Sequence, residues 1–219
     1  ILLLLKANYL RAITLLIALI LISLNLRPAL TSIAPVMDRI VEDLSLSRAS
    51  AGLITTIPVL LMGFLAPLAP ILARRWSQER VLKGTMALLV VAFAIRYFSQ
   101  YSFTLLLVSA LVAGIGIAIA GPLMSGFIKQ YFSRHITLAI TVYSVSVCVG
   151  ASLAVALTTP IIQMTNNHWE HGLAVWGLLA LAAFCVLLIY MPKASITNKP
   201  EYTHQKLPLD SFRAWLLTG

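Results

Sequence analysis

The chain has 219 residues, of which 60% are hydrophobic and only 11% are charged, and its mean hydropathy is +0.93. This composition excludes an ordinary soluble domain and predicts an all-α integral membrane protein. The net charge of +9 could indicate a nucleic-acid-binding protein. However, the basic residues lie in short gaps between apolar runs, as they do in cytoplasmic loops, so we expect no nucleic acid partner.

Six apolar runs are each long enough to cross a bilayer core about 30 Å thick as a helix. They cover Ala12–Pro35, Ser50–Leu72, Leu82–Phe98, Phe103–Phe127, Ile136–Ile162 and Gly172–Met191. Residues 192–211 contain three prolines and several lysines, which predicts a flexible cytoplasmic linker. Residues 212–219 begin a seventh apolar run that stops mid-helix. With residues 1–11 as a cytoplasmic N-terminus and 12–191 as a six-helix bundle, this layout favours one half of a twelve-helix transporter.

The basic residues outside the centres of these runs indicate which loops are cytoplasmic. The segments between the runs fall into two sets that alternate along the chain. One set contains only two basic residues, Arg39 and Arg48. The other set contains Lys6, Arg11, Arg74, Arg75, Arg80, Lys83, Lys129, Arg134, Lys193, Lys199, Lys206 and Arg213. Lys and Arg are enriched in cytoplasmic loops. The N-terminus and the 192–211 linker are therefore predicted to be cytoplasmic.

The first run contains an arginine, Arg27, followed directly by Pro28. A guanidinium within hydrocarbon is costly, so such residues usually face a bundle interior or a wet cavity. Ser23, Arg27 and Thr31 are spaced i, i+4 and i+8, which predicts one polar helix face, and Pro28 predicts a kink. We therefore expect a bent helix that lines a solute pathway. The alternative is an arginine that snorkels to the membrane interface.

Small residues in the fourth and fifth runs predict close helix packing. The pairs Gly114/Ala118, Gly116/Ala120, Ser146/Gly150 and Gly150/Ala154 are separated by three residues. Such pairs place small side chains on one face and let two helix backbones approach each other closely. Plain packing without ligand contact is the simpler interpretation for most of these positions.

Arg27 and Arg96 are the two charges within the predicted spans, and no Asp or Glu lies in any of these spans. Two cations favour a site for an anionic or strongly dipolar solute. Arg96 lies near the end of its run, so snorkelling is an equal alternative there. The sequence offers no spacing for a metal site and no nucleophile–base pair, so we expect neither an enzyme nor a cofactor.

Several stretches together resemble one known family. They are Asn25–Ser32 with Pro35, Ala51–Leu60, Ala66-Pro67, Ala73-Arg74-Arg75 with Glu79-Arg80, Arg96, and Gly126–Lys129. With these residues the chain resembles the major facilitator superfamily and, within it, the cyanate and nitroimidazole transporters. It departs from the superfamily's loop motif, since Ala73 stands where an Asp is usual and Trp76 where a Gly is usual.

The resemblance implies the N-terminal half of a transporter in a bacterial inner membrane, which moves a small polar or anionic solute by alternating access. The missing C-terminal half, the solute and the bilayer are then its partners. We therefore expect Arg27 to be the substrate cation, Asn25 and Thr31 to be lesser polar contacts, and Arg96 to be a second cation. We expect Arg74, Arg75 and Arg80 to form a cytoplasmic gate or anchor. The alternatives are a hydrophobic-drug exporter of the same superfamily and a self-contained six-helix channel or oligomer.

Overall fold

A computed structural model describes the backbone of residues 2–190 and the side chains from Ala12 onward. The predicted linker and seventh-helix start lie outside these described residues. Within them the chain forms only helices and short turns. The α-helices are α1 (Leu2–Asn25), α2 (Pro28–Thr31), α3 (Met37–Asp43), α4 (Arg48–Leu65), α5 (Leu68–Trp76), α6 (Gln78–Tyr97), α7 (Phe103–Tyr131), α8 (Ile136–Met164), α9 (Trp169–Ala174) and α10 (Trp176–Tyr190).

Each predicted span corresponds to one helix or to a broken pair of helices. The second run divides into α4 and α5 at Ala66-Pro67, and the sixth divides into α9 and α10 at Val175. The first predicted span, which starts at Ala12, lies within a longer helix, because α1 already begins at Leu2. No proline or glycine lies between these two positions, so nothing in that segment ends a helix.

Five helical stretches among residues 2–190 are long and apolar enough to cross a membrane. They are Ala12–Asp43, Arg48–Leu65, Phe103–Tyr131, Ser133–Met164 and Trp169–Tyr190. Helix α6, which covers the third predicted run, differs from them because every stretch of 18 residues within it contains at least three of its charged residues Glu79, Arg80, Lys83 and Arg96. The chain is therefore an all-helical integral membrane protein.

The kink predicted from Pro28 is confirmed. Helix α1 ends at Asn25, and a new helical turn begins at Pro28, which occupies the first position of α2. Proline fits that position because an N–H group in the first turn of a helix has no acceptor within the helix, so the N–H that proline lacks is not needed. Leu26 and Arg27 thus form a break between two helical segments.

Close packing at the small residues is also observed. Gly150 of α8 lies directly against the Leu24 backbone of α1, where an added Cβ would overlap the Leu24 carbonyl group. A Cβ at Gly114 of α7 would come within 2.9 Å of the Pro58 Cα of α4. A Cβ at Gly116, on another side of α7, would lie 3.3 Å from the Thr85 carbonyl oxygen of α6. Glycine thus lets these helix backbones touch.

The two ends of the bundle differ in charge. One end, which we call the basic end, carries the α5–α6 junction and the α7–α8 junction with Arg74, Arg75, Arg80 and Arg134. At the opposite end α3 and α9 meet, where the Trp169 indole N–H donates to the Asp43 carboxylate at 2.8 Å. Helix α9 begins at Trp169, before the sixth predicted run, and buries Glu170.

Candidate functional site

Arg27 lies at the break between α1 and α2, and its side chain is exposed. Its carbonyl oxygen accepts hydrogen bonds from the backbone N–H groups of Leu30 at 2.9 Å and Thr31 at 3.0 Å. The Thr31 hydroxyl donates to the same oxygen at 3.0 Å. These bonds hold the turn that carries the arginine. The predicted face is incomplete, because Ser23 is buried and donates to the Leu19 carbonyl.

Tyr143 of α8 is a neighbour of Arg27 that the sequence reasoning missed. Its half-buried side chain lies within electrostatic range of the Arg27 guanidinium. The phenol can both donate and accept a hydrogen bond. The available signal was its spacing, since Tyr143 precedes Gly150 by two helical turns and so shares the α8 face that packs on α1.

Asn25 does not share the exposed side of Arg27. Its side chain is fully buried, and its Nδ2 donates to the Leu21 carbonyl at 2.7 Å and to the Leu179 carbonyl of α10 at 3.1 Å. In this conformation the amide joins α1 to α10. Its predicted contact with solute stays a prediction.

Arg96 of α6 is buried inside the bundle, with 0% of its side chain exposed. Its Nη2 donates to the Ala29 carbonyl of α2 at 2.7 Å, and its Nε lies 3.4 Å from the Ser109 hydroxyl of α7. The snorkelling alternative for this residue is wrong, because a snorkelling side chain keeps its charge in water. The structure therefore separates the two in-span cations, one exposed and one enclosed.

At the basic end, the side chains of Arg74, Arg75 and Arg80 are exposed. The Arg75 guanidinium carbon lies 5.9 Å from the centroid of the Trp76 ring, a distance that permits a cation–π interaction. Their predicted role as gate or anchor residues stays a prediction. Exposure of three cations at one end agrees with either role.

The carboxylate of Glu79, at the start of α6, ties this helix to the end of α7. Its Oε1 accepts from the Tyr131 hydroxyl at 2.7 Å and from the Gln130 amide at 3.0 Å. Burial acts to raise the pKa of Glu79, but hydrogen bonds to the charged carboxylate outweigh burial and hold the pKa below its usual value. The ionised form of Glu79 is thus the form that this contact favours.

The turn between α5 and α6 contains a strained residue. Ser77 has φ 72° and ψ 148°, a conformation that residues with a Cβ rarely adopt. In the superfamily's loop motif a Gly is usual at the position of Trp76. In this chain the backbone conformation that favours glycine lies one residue later, at Ser77. A serine in this conformation keeps the turn at an energetic cost.

Together these features define a polytopic helical membrane protein with one exposed arginine at a broken first span. The chain belongs to the Major Facilitator Superfamily, whose family model matches residues 12–218. This family is the one that the resemblance indicated.

Three curated relatives support this membership. The uncharacterised transporter YycB of Bacillus subtilis is 34% identical over 90% of this chain. The cyanate transport protein CynX of Escherichia coli is 34% identical over 92%, and the 2-nitroimidazole transporter of Escherichia coli is 32% identical over 82%. The matched regions cover 47%, 52% and 44% of these relatives. The chain thus spans about half the length of the curated relatives that it matches.

Proposed function

We propose that the chain is the N-terminal six-helix half of a transporter that moves a small polar or anionic solute by alternating access. In this proposal α6 also crosses the membrane and brings the number of spans to six, because three of its charges lie at its start and Arg96 is enclosed by protein. Residues 1–11 and 192–211 are cytoplasmic, and the membrane is a bacterial cytoplasmic membrane. The positive-inside distribution supports this orientation.

The observation that carries the proposal is the exposed Arg27 side chain at the α1–α2 break. Irregular backbone at membrane depth is tolerated where protein or a water-filled cavity satisfies the freed groups. A cation there faces an aqueous cavity at lower cost than it faces lipid. Thr31 and Tyr143 lie beside it as further polar contacts. Asn25 and Arg96 are not part of this proposed contact set because both are buried against protein.

The chemistry of the site favours a small planar anion or dipole. A guanidinium presents a planar fork of donors, which binds two acceptor atoms of one planar group. Two of the relatives are named for cyanate and for 2-nitroimidazole. Cyanate is a small linear anion, and 2-nitroimidazole carries a planar nitro group with two acceptor oxygens side by side. We propose solutes of this class for the present chain. A hydrophobic-drug exporter is less favoured, because its cavity does not need an exposed cation.

Two spans leave broad apolar faces uncovered, which supports the existence of a second six-helix half that packs on them. Only 17% of the Arg48–Leu65 span and 28% of an 18-residue stretch within Ser133–Met164 are buried, against 56% of such a stretch within Phe103–Tyr131. The α8 surface also forms an open groove of about 400 Å³, lined by Ser144, Val145, Cys148, Val149, Ser152 and Leu153. A second six-helix unit would cover these faces. A self-contained oligomeric channel would use the same faces between identical copies.

The experiment compares Arg27→Lys and Arg27→Met in the full-length transporter, with labelled cyanate and 2-nitroimidazole as probes. Lys keeps the charge but loses the fork, so we expect binding to weaken about tenfold, and Met to weaken it about a hundredfold. Both proteins should reach the membrane, because Lys keeps the charge that the wild type already inserts and Met removes an in-span cation, which relieves an insertion cost. Uptake and equilibrium binding are measured beside expression level.

The matched control is Arg48→Met, since Arg48 is also exposed but lies at the opposite end of the bundle from the basic loops. It should leave the affinity unchanged. Wild-type affinity in Arg27→Lys would contradict the proposed contact. Saturable flux by residues 1–219 expressed alone would favour the channel, because alternating access needs two halves around a shared site.

A further inference from the structure

The outer end of α6 holds an arginine that is bonded to the same turn that carries Arg27. Nη2 of Arg96 donates to the Ala29 carbonyl at 2.7 Å, and Nε lies 3.4 Å from the Ser109 hydroxyl. The guanidinium carbon lies 5.3 Å from the centroid of the Phe93 ring. Arg96 thus joins three elements, α2, α6 and α7, at one point inside the protein.

The Ala29 carbonyl is available because α2 is a single turn. The last carbonyl groups of a helix have no N–H partner within the helix, and the Ser32 N–H that closes this turn bonds to Pro28, at 3.1 Å. A buried guanidinium therefore supplies a charged donor to a helix end that otherwise lacks one. Charge-assisted bonds of this kind are among the stronger hydrogen bonds in proteins.

Ala29 cannot move independently of Arg27. The two residues are separated only by Pro28, whose ring fixes φ, and the Arg27 carbonyl is held by Leu30 and Thr31. A displacement of the Ala29 carbonyl therefore rotates the turn and redirects the Arg27 side chain.

We propose that Arg96 is a positioning residue, which holds the Pro28–Thr31 turn so that Arg27 points into the solute site. This inference rests on the proposed function. An arginine that served only to pack α6 would not be favoured here, because a buried charge is costly unless it is fully bonded. The Nη1 atom of Arg96 is buried and has no hydrogen-bond partner among the described residues. A guanidinium that occupies this position despite that cost agrees with a role in the site.

The first test is a double-mutant cycle in the full-length transporter, with cyanate and 2-nitroimidazole as probes. Arg96→Met should weaken binding about tenfold in the wild-type background, as expected for loss of one well-oriented charged contact. In the Arg27→Lys background the same change should weaken binding less than threefold, since the fork that Arg96 orients is already absent. Equal losses in both backgrounds would overturn the proposal and favour an independent role of Arg96.

The second test does not depend on any solute. Thr31→Cys is introduced into protein whose Cys148 and Cys185 are replaced by serine, and its reaction rate with a small maleimide is measured. Arg96→Met should change that rate at least severalfold, because the turn loses its tether to α6. Arg39→Met is the matched control, since Arg39 bonds to Asn167 at 3.4 Å and forms no hydrogen bond to α2 in the part of the chain that the structure describes.

An unchanged rate in Arg96→Met would overturn the positioning role. This measurement also separates the two proposals. If the wild-type protein bound neither probe, the solute class in the proposed function would be wrong, while a changed maleimide rate would still show that Arg96 positions the turn.

Arg96→Lys provides a rescue variant, because its ammonium can reach one carbonyl but cannot bond to Ala29 and Ser109 together. Its rate should lie between those of the wild type and Arg96→Met.

Discussion

At the residue scale, the sequence locates an important arginine but not its environment. Arg27 and Arg96 look alike in a hydropathy plot, yet one is exposed and the other fully buried. Spacing along a helix shows which residues share a face, but it does not show what packs on that face. Asn25 illustrates the same limit, because its partner at Leu179 is distant in sequence.

The strained turn at Ser77 gives a first prediction. Ser77→Gly should stabilise the protein by about 1 kcal/mol or more, because glycine adopts this backbone conformation without steric cost. Thermal unfolding in detergent measures the change. Ser125→Gly, in the interior of α7, is the control and should have the opposite sign, since glycine destabilises a helix interior. A lower unfolding midpoint for Ser77→Gly than for the wild type would show that the backbone at Ser77 is not strained.

The Glu79 carboxylate gives a second prediction, which concerns pH. Its pKa is lowered in the folded protein from the ordinary value of 4.5, so its contribution to stability is fully present above that value. The contribution is lost as the pH falls from 4.5 through the lowered pKa. Glu79→Gln should cost about 1 kcal/mol at pH 7, since a neutral amide replaces a charged acceptor.

Unfolding midpoints of wild type and Glu79→Gln at pH 7 and at pH 3.5 decide this prediction. The difference between the two proteins should shrink at the lower pH, because the wild-type carboxylate then begins to be protonated. A difference that stays constant between the two pH values would show that the Tyr131 and Gln130 contacts do not depend on the charge of Glu79.

At the element scale, the spans follow from hydropathy because helices in lipid must satisfy their own backbone groups. The break before Pro28 also follows from local chemistry, since proline removes one donor and favours a helix start. The short helices α3 and α9 were not predicted. They depend on contacts between distant segments, such as the Trp169–Asp43 hydrogen bond, which no local pattern shows.

The contact between α1 and α8 gives the third prediction. Gly150→Ala should destabilise the protein by about 1–3 kcal/mol, the usual cost of overpacking, because the added methyl group meets Leu24 backbone that cannot move aside cheaply. Gly84→Ala is the matched control, since nothing lies within 4 Å of an added Cβ there. It should be neutral or stabilise α6 by up to about 1 kcal/mol.

Detergent-solubilised proteins are compared by thermal unfolding and by size-exclusion profile. The comparison isolates the steric effect because both variants add the same methyl group to a helix. An unfolding midpoint for Gly150→Ala equal to that of Gly84→Ala would mean that α1 and α8 are not in backbone contact.

At the scale of the whole molecule, the charge difference between the two ends sets the orientation in the membrane. The basic end carries the exposed Arg74, Arg75, Arg80 and Arg134, and the opposite end carries Asp38, Glu42 and Asp43 on α3. Positive residues in short loops remain on the cytoplasmic side during insertion. The expected orientation therefore places the α7–α8 junction inside the cell and the α6–α7 junction outside.

This orientation is the fourth prediction, and one matched pair of variants tests it. Ser133 and Gln100 are both exposed loop residues, at the basic end and the opposite end respectively. Each is changed to cysteine in full-length protein that lacks Cys148 and Cys185, and intact cells are treated with a membrane-impermeant maleimide. Gln100→Cys should react in intact cells, whereas Ser133→Cys should react only after permeabilisation. Reaction of Ser133→Cys in intact cells would reverse the orientation, and with it the assignment of Arg74, Arg75 and Arg80 to the cytoplasmic side.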